Sequence, residues 1–280
     1  MFGIMSRMSC FGVLLRTSVV LYLFLKGSQA QCAPCMNLKA STTATEINIQ
    51  VHSNCNLSTG STSVFTNSTM ATLSGLAPGS THLVRVLCND IQQVNCCNNF
   101  TTKPAVIATP TVIQTTTSLF LSWTKPTGEA AGYRVEFHNG GTGKDQLTST
   151  TSAIIESLTQ GTQYTLKVIA IAQDKITEGD PRTVYVYTKP GVVGNLSVIG
   201  TTTSSVYLSW TQPKGNSSFY RVEGTGVSMN TTETSTTITG LTAGVQYSFT
   251  VTAVAGDKTT VGEGNTTTTF TSKSSFKFGV

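Results

Sequence analysis

A chain of 280 residues has room for two or three domains of ordinary size, and its 18 basic and 13 acidic groups give a formal charge of +5. Three of the basic groups, Arg7, Arg16 and Lys26, lie in the first thirty residues, which leaves 15 basic against 13 acidic groups over the rest. So even a balance gives no electrostatic footprint for nucleic acid or an anionic membrane, and the Ser-, Thr- and Gly-rich composition, only 11% charged, argues for a β-rich extracellular protein over a cytosolic enzyme.

Residues 1–30 form a segment of their own. Two arginines precede the apolar run at 19–25, and Ser28 and Ala30 supply the small residues of a cleavage site. This is the layout of a secretory signal peptide removed after Ala30. Arg16 interrupts the apolar stretch short of the roughly 20 residues that a spanning helix needs. No later stretch is apolar enough to span a bilayer, so the mature chain is expected to be exported and soluble. A membrane location is expected only if the chain is part of a longer receptor.

Residues 31–103 carry Cys32, Cys35, Cys55, Cys88, Cys96 and Cys97. An even number of cysteines in an oxidising compartment reads as disulfides, and sequence leaves all 15 pairings open. Cys32-Ala-Pro-Cys35 has the spelling of a redox pair, but it precedes a strand instead of opening a helix. Together with Cys96-Cys97 it also has the composition of a four-thiolate zinc site, against which the compartment weighs.

From residue 104 the chain repeats itself. "SLFLSWTKP" at 118–126 returns as "SVYLSWTQP" at 205–213, and "SLTQGTQYTLKVIAIAQDK" at 157–175 returns as "GLTAGVQYSFTVTAVAGDK" at 240–258. Self-similarity at this period marks a tandem array. Leu119, Leu121 and Trp123 alternate with Phe120 and Ser122. Tyr247, Phe249, Val251, Ala253 and Ala255 alternate with Ser248, Thr250, Thr252 and Val254. Period-two alternation predicts half-buried strands, and Gly and Pro breaks every 8–12 residues or so give the rhythm of an antiparallel sandwich. The expected units are 104–190 and 191–273, with a tail at 274–280.

These residues resemble the fibronectin type III family, whose marks are a core Trp on an early strand and a Leu-Gly-Tyr-Val-Ala series across a turn into a late strand. Here they stand as Trp123 with Leu158, Gly161, Tyr164, Val168 and Ala170, and as Trp210 with Leu241, Gly244, Tyr247, Val251 and Ala253. The resemblance implies that Trp123, Tyr164, Trp210 and Tyr247 are structural core residues, with each Tyr hydroxyl tying a corner to upstream backbone. Residues 72–90 align as a degenerate third copy, in which His82 replaces the corner Tyr and Val51 the core Trp. The expected fold is all-β: a tandem array of three fibronectin type III-like, immunoglobulin-like β-sandwiches, the first degenerate and disulfide-rich. In that fold the chain start, the loop after the second strand and the loop after the sixth share one pole, where the six cysteines would cluster and compensate for the missing rings.

Little else in the chain carries chemistry. His52, His82 and His138 are dispersed, no carboxylate pair falls in a catalytic frame, and the Cys10 to Arg16 spacing of a phosphatase loop lies inside the signal segment without its glycines. No catalytic residue, cofactor site or metal site is expected. Asp174-Lys175 and Asp257-Lys258 read as solvated turns. Seven Asn-x-Ser/Thr acceptors stand out: Asn56, Asn67, Asn99, Asn195, Asn216, Asn230 and Asn265, none of them in the middle unit. The expected function is a non-catalytic extracellular binding or adhesion module whose partner is an extracellular or cell-surface protein. The Thr-rich repeats look most like ectodomain repeats of receptor-type tyrosine phosphatases. The alternatives are therefore an N-terminal fragment of such a receptor, without its spanning and catalytic parts, or a tenascin-like matrix protein.

Overall fold

The computed structural model describes residues 32–89, 95–141 and 143–274; the expected signal peptide and nearly all of the expected tail lie outside the described residues. Short alternating runs broken by Gly, Pro and Thr-rich turns can bury only one face each, and they form strands throughout.

The first repeat runs β1 (Ala33–Pro34), β2 (Ala40–Thr42), β3 (Ile47–Gln50), β4 (Cys55–Ser58), β5 (Ser63–Thr66), β6 (Met70–Leu73), β7 (Thr81–Cys88) and β8 (Asn95–Thr101). The second runs β9 (Thr111–Gln114), β10 (Leu119–Ser122), β11 (Gly132–His138), β12 (Lys144–Thr148), β13 (Ser152–Ile155), β14 (Gln163–Ile171) and β15 (Arg182–Tyr187). The third runs β16 (Gly194–Thr201), β17 (Ser205–Thr211), β18 (Phe219–Gly224), β19 (Val227–Thr231), β20 (Ser235–Thr239), β21 (Gln246–Val254) and β22 (Asn265–Phe270).

Each repeat has a three-stranded and a larger sheet: β2-β3-β6 with β1-β8-β7-β4-β5, β13-β10-β9 with β12-β11-β14-β15, and β16-β17-β20 with β19-β18-β21-β22. The protein is therefore an all-β tandem array of sandwiches. Its contacts divide it into two compact units. One holds the described residues up to Thr42, Glu46–Gly75 and His82–Phe100; the other holds Thr43–Thr45, Leu76–Thr81 and everything from Thr101 on.

In the second repeat Leu119, Leu121, Trp123, Val135, Leu166 and Val168 close the core between the sheets. Trp123 meets Tyr133 edge-on at 5.2 Å between ring centroids, and Trp210 meets Tyr220 at 5.5 Å in the third. Such pairs are worth about 0.5–1.5 kcal/mol beyond the area they bury. At the corners, the hydroxyl of Tyr164 accepts the Thr159 N–H at 3.0 Å, and that of the half-buried Tyr247 accepts the Thr242 N–H at 2.9 Å. Simple alternation misses one point. Thr252 and Val254, on the expected outer face of β21, are buried as well. The bridge from Val254 to Val261 and the bond from the Ser218 N–H to the Val254 carbonyl fold neighbouring chain over that end.

The first repeat keeps the frame and changes the filling. The backbone N–H groups of Val51, Trp123 and Trp210 donate to Thr69, Thr151 and Thr234 at 3.0, 3.0 and 2.9 Å, so Val51 stands at the Trp position. Tyr133 faces Ala170 across the sheet and Tyr220 faces Ala253; the same register in the first repeat opposes Cys55 and Cys88. These two are bonded, as are Cys32 with Cys97 and Cys35 with Cys96. Cys55, expected in a loop, is thus the first residue of β4, because the bond must reach directly across the ladder. His82 holds the corner place, with its Nε2 buried and without a hydrogen-bond partner among the described residues. A pocket of about 690 Å³ lies beside Val51, lined also by Val86, Cys88 and Cys96, with the chain start at 33–39 forming another wall.

Candidate interaction surface

Among the described residues, no group of three His, Cys, Asp or Glu side chains could hold a metal ion, and no helix is long and apolar enough to cross a membrane. The charged side chains that do cluster form ion pairs. On the four-stranded sheet of the second repeat, Arg134 bridges Glu136 at 2.7 Å and Glu178 at 2.5 Å, with Lys167 3.9 Å from Glu136. The hydrogen bond to Glu178 raises the guanidinium further above its ordinary value, against burial. All four members are paired with one another.

The Asp-Lys turns are ordered from within. Asp174 accepts the Ile176 and Thr177 N–H groups at 3.0 and 2.8 Å and the Thr177 hydroxyl at 2.6 Å. Asp257 does the same with Thr259 and Thr260 at 3.1, 2.9 and 2.6 Å. Burial raises both carboxyls, but these hydrogen bonds outweigh it and hold both below the ordinary value. Lys175 and Lys258 follow with φ of 61° and 63°. Asx turns of this kind shape a loop.

What remains open is apolar, and the alternating pattern did not single it out. On the outside of the three-stranded sheet of the second repeat, Phe120 stands in register with Ile113 on one side and Ile154 on the other. Their exposures are 37%, 59% and 55%, so three neighbouring apolar side chains share one solvent-facing row. In the first repeat the same three places hold Ser41, Asn48 and Thr72, with the Thr72 hydroxyl bonded to Asn48 at 2.6 Å. In the third they hold Gly200, Tyr207 and Thr237. The sequence signal was available in "LFLS" and "SAII", where an apolar residue stands on both faces of a strand that needs only one buried.

The sequon asparagines lie outside this row. Asn56, Asn67, Asn99, Asn195, Asn216 and Asn230 are exposed, while Asn265 is half-buried with its Nδ2 donating to the Val193 carbonyl at 3.1 Å. Asn56 sits in register between Phe65 and Leu87, so the exposed apolar residues of that sheet flank a sequon. The middle row has no such neighbour.

The fibronectin type III domain family matches this chain at residues 107–185 and 189–270. Receptor-type tyrosine-protein phosphatase eta of Gallus gallus is 33% identical over 224 residues, 76% of this chain and 16% of that protein. Receptor-type tyrosine-protein phosphatase H of Homo sapiens is 34% identical over 148 residues, 49% of this chain and 13% of that one. The chain thus spans about a sixth or less of the length of these relatives. Among solved structures, a two-domain fibronectin type III segment from chicken tenascin is 25% identical, covering 59% of this chain and 99% of its own, with a TM-score of 0.43.

Proposed function

The chain belongs to the fibronectin type III family, and from that premise we propose that it is a non-catalytic extracellular binding module whose contact face is the outer three-stranded sheet of the second repeat. The reading rests on one observation: the Ile113–Phe120–Ile154 row is exposed and apolar in the repeat without sequons, and polar at the same places in the first. Glycans are bulky and hydrated, so a repeat without them is the one a protein can approach closely. An apolar centre rimmed by Thr and Ser gives a partner area to bury, and the seven basic and seven acidic groups of residues 104–190 give it complementary charge to pair. The unit boundaries at 103/104 and 190/191, export after removal of residues 1–30 and occupancy of the sequons belong to the same proposal.

Glycan wedges test it. Ile113→Asn creates an acceptor with Gln114 and Thr115 on the row, and Leu147→Asn creates one with Thr148 and Ser149 on the other sheet. Binding of the secreted protein to a cell surface or matrix should be lost with a glycan at 113 and kept with one at 147. If both are tolerated while removal of residues 31–103 abolishes binding, the disulfide-rich first repeat is the contact surface instead.

The match to receptor phosphatases favours a second reading, in which this is the outer part of a membrane receptor. A transcript encoding a spanning helix downstream of Val280 supports that reading, and a stop codon there supports a soluble binder.

A further inference from the structure

The second and third repeats, both inside the second compact unit, meet at a joint built from backbone. The Asn216 N–H donates to the Gln160 carbonyl at 3.0 Å, and the Asn216 Nδ2 donates to the Thr162 hydroxyl at 2.9 Å. Gly161 has φ +62°, and a Cβ there would lie 1.8 Å from the Asn216 carbonyl oxygen, so only glycine permits the approach. Beside these bonds is a crevice of about 240 Å³ lined by Gly161, Thr162, Tyr187, Asn216, Ser217 and Gly256. The unit has another joint of the same pattern, where the Glu129 N–H donates to the Pro78 carbonyl at 2.8 Å and Lys103 pairs with Asp180 at 3.0 Å. The residues corresponding to that ion pair here, Lys189 and Glu263, form none among the described residues. At this joint a sequon stands at the place that Glu129 holds in the other.

We infer that Asn216 is a modified residue whose N-linked glycan braces the joint, with its first sugar seated in the crevice against Tyr187. Modification forms a bond from Nδ2 to the anomeric carbon of a lipid-pyrophosphate-linked oligosaccharide. The carbon–oxygen bond to pyrophosphate breaks, the lipid pyrophosphate leaves, and Nδ2 gives up one proton. An amide nitrogen has two hydrogens, and the Thr162 bond uses one, so the sugar can be attached without breaking that bond. Asn216 is exposed and itself lines the crevice, so the sugar begins at the crevice wall. Tyr187 lies over Gly256, its hydroxyl 2.9 Å from where a Cβ there would stand, so the crevice wall presents an amphipathic ring beside the polar groups of Thr162 and Ser217. The sugar would touch Tyr187 of one repeat and Gly256 of the next. The inference rests on the extracellular reading above.

Glycopeptide mass spectrometry of the secreted full chain, mapped over all seven sequons, is the first measurement. Other sites occupied with Asn216 bare would sink the inference alone; all seven bare would sink the extracellular reading with it. Ser218→Ala then removes the acceptor while leaving Asn216 and its bond to Thr162. Spin labels at Leu147→Cys and Glu233→Cys report the distance between the two repeats by electron–electron double resonance. The glycosylated protein should give one narrow distribution and the Ser218→Ala protein a broader one. An unchanged or narrower distribution on loss of the glycan would overturn the brace, the narrower one showing that the sugar wedges the joint apart.

Discussion

Tyr164 and Tyr247 each spend their hydroxyl on one backbone N–H five residues upstream, Thr159 and Thr242. Tyr164→Phe keeps the buried ring and leaves that donor unpaired, so it should cost about 1–3 kcal/mol in chemical denaturation. Tyr247→Phe should cost less, because Tyr247 is only half-buried and water can reach the freed N–H. The twin aspartates set a pH dependence at the same scale. Their folded pKa values lie below the unfolded ones, so their contribution is complete above the ordinary aspartate value of about 3.9 and is lost as pH falls through the folded values. Urea midpoints measured from neutral pH downward should hold and then drop in acid. The double variant Asp174→Asn, Asp257→Asn should start lower and show a shallower acid drop.

At the scale of elements, the first repeat substitutes covalent bonds for rings. An indole and a phenol each bury on the order of 150–250 Å², and Val51 and Cys55 supply neither. A crosslink typically contributes about 2–4 kcal/mol by restricting the unfolded chain. Reduction should therefore unfold the first repeat and leave the others folded, and both tryptophans sit in the latter. Far-ultraviolet circular dichroism should change while Trp123 and Trp210 fluorescence stays native. Val51→Trp provides a complementary test, since it puts an indole into the pocket beside Val86 and Cys88. It should raise the denaturation midpoint of the first repeat with its disulfides intact; a lowered midpoint would show that the neighbouring side chains cannot admit the ring.

Across the whole molecule, the joint between the second and third repeats depends on a glycine with nothing to spare. Gly161→Ala combines a left-handed φ of 62° with a methyl 1.8 Å from the Asn216 carbonyl, so the joint must open. Each sandwich closes its own core, so the repeats should stay folded. The expected outcome is a larger radius of gyration by small-angle scattering and faster proteolysis around residues 188–193, with tryptophan fluorescence unchanged. The apolar row of the second repeat would survive this change, which separates loss of binding through shape from loss through contact.

Much of this was legible in the chain itself. Alternation at Leu119, Leu121 and Trp123 specified strands and their buried face, because a strand has only two faces and the core takes one. The resemblance to the fibronectin type III family implied the tyrosine corner, and the even cysteine count predicted disulfides, because a motif and a composition are both read along the chain. Tertiary structure decided what depends on residues distant in the chain. It selected one of 15 cysteine pairings by bringing Cys32 and Cys35 alongside Cys97 and Cys96, 65 and 61 residues away. It turned three separately unremarkable residues, Ile113, Phe120 and Ile154, into one exposed row through strand register. It also placed the Asn216 amide on Thr162, 54 residues earlier, because Gly161 lets the backbones approach. Periodicity along a chain tells which side of a strand is buried. Only the packing of strands, which carries no periodic signal, tells which neighbours share the other side.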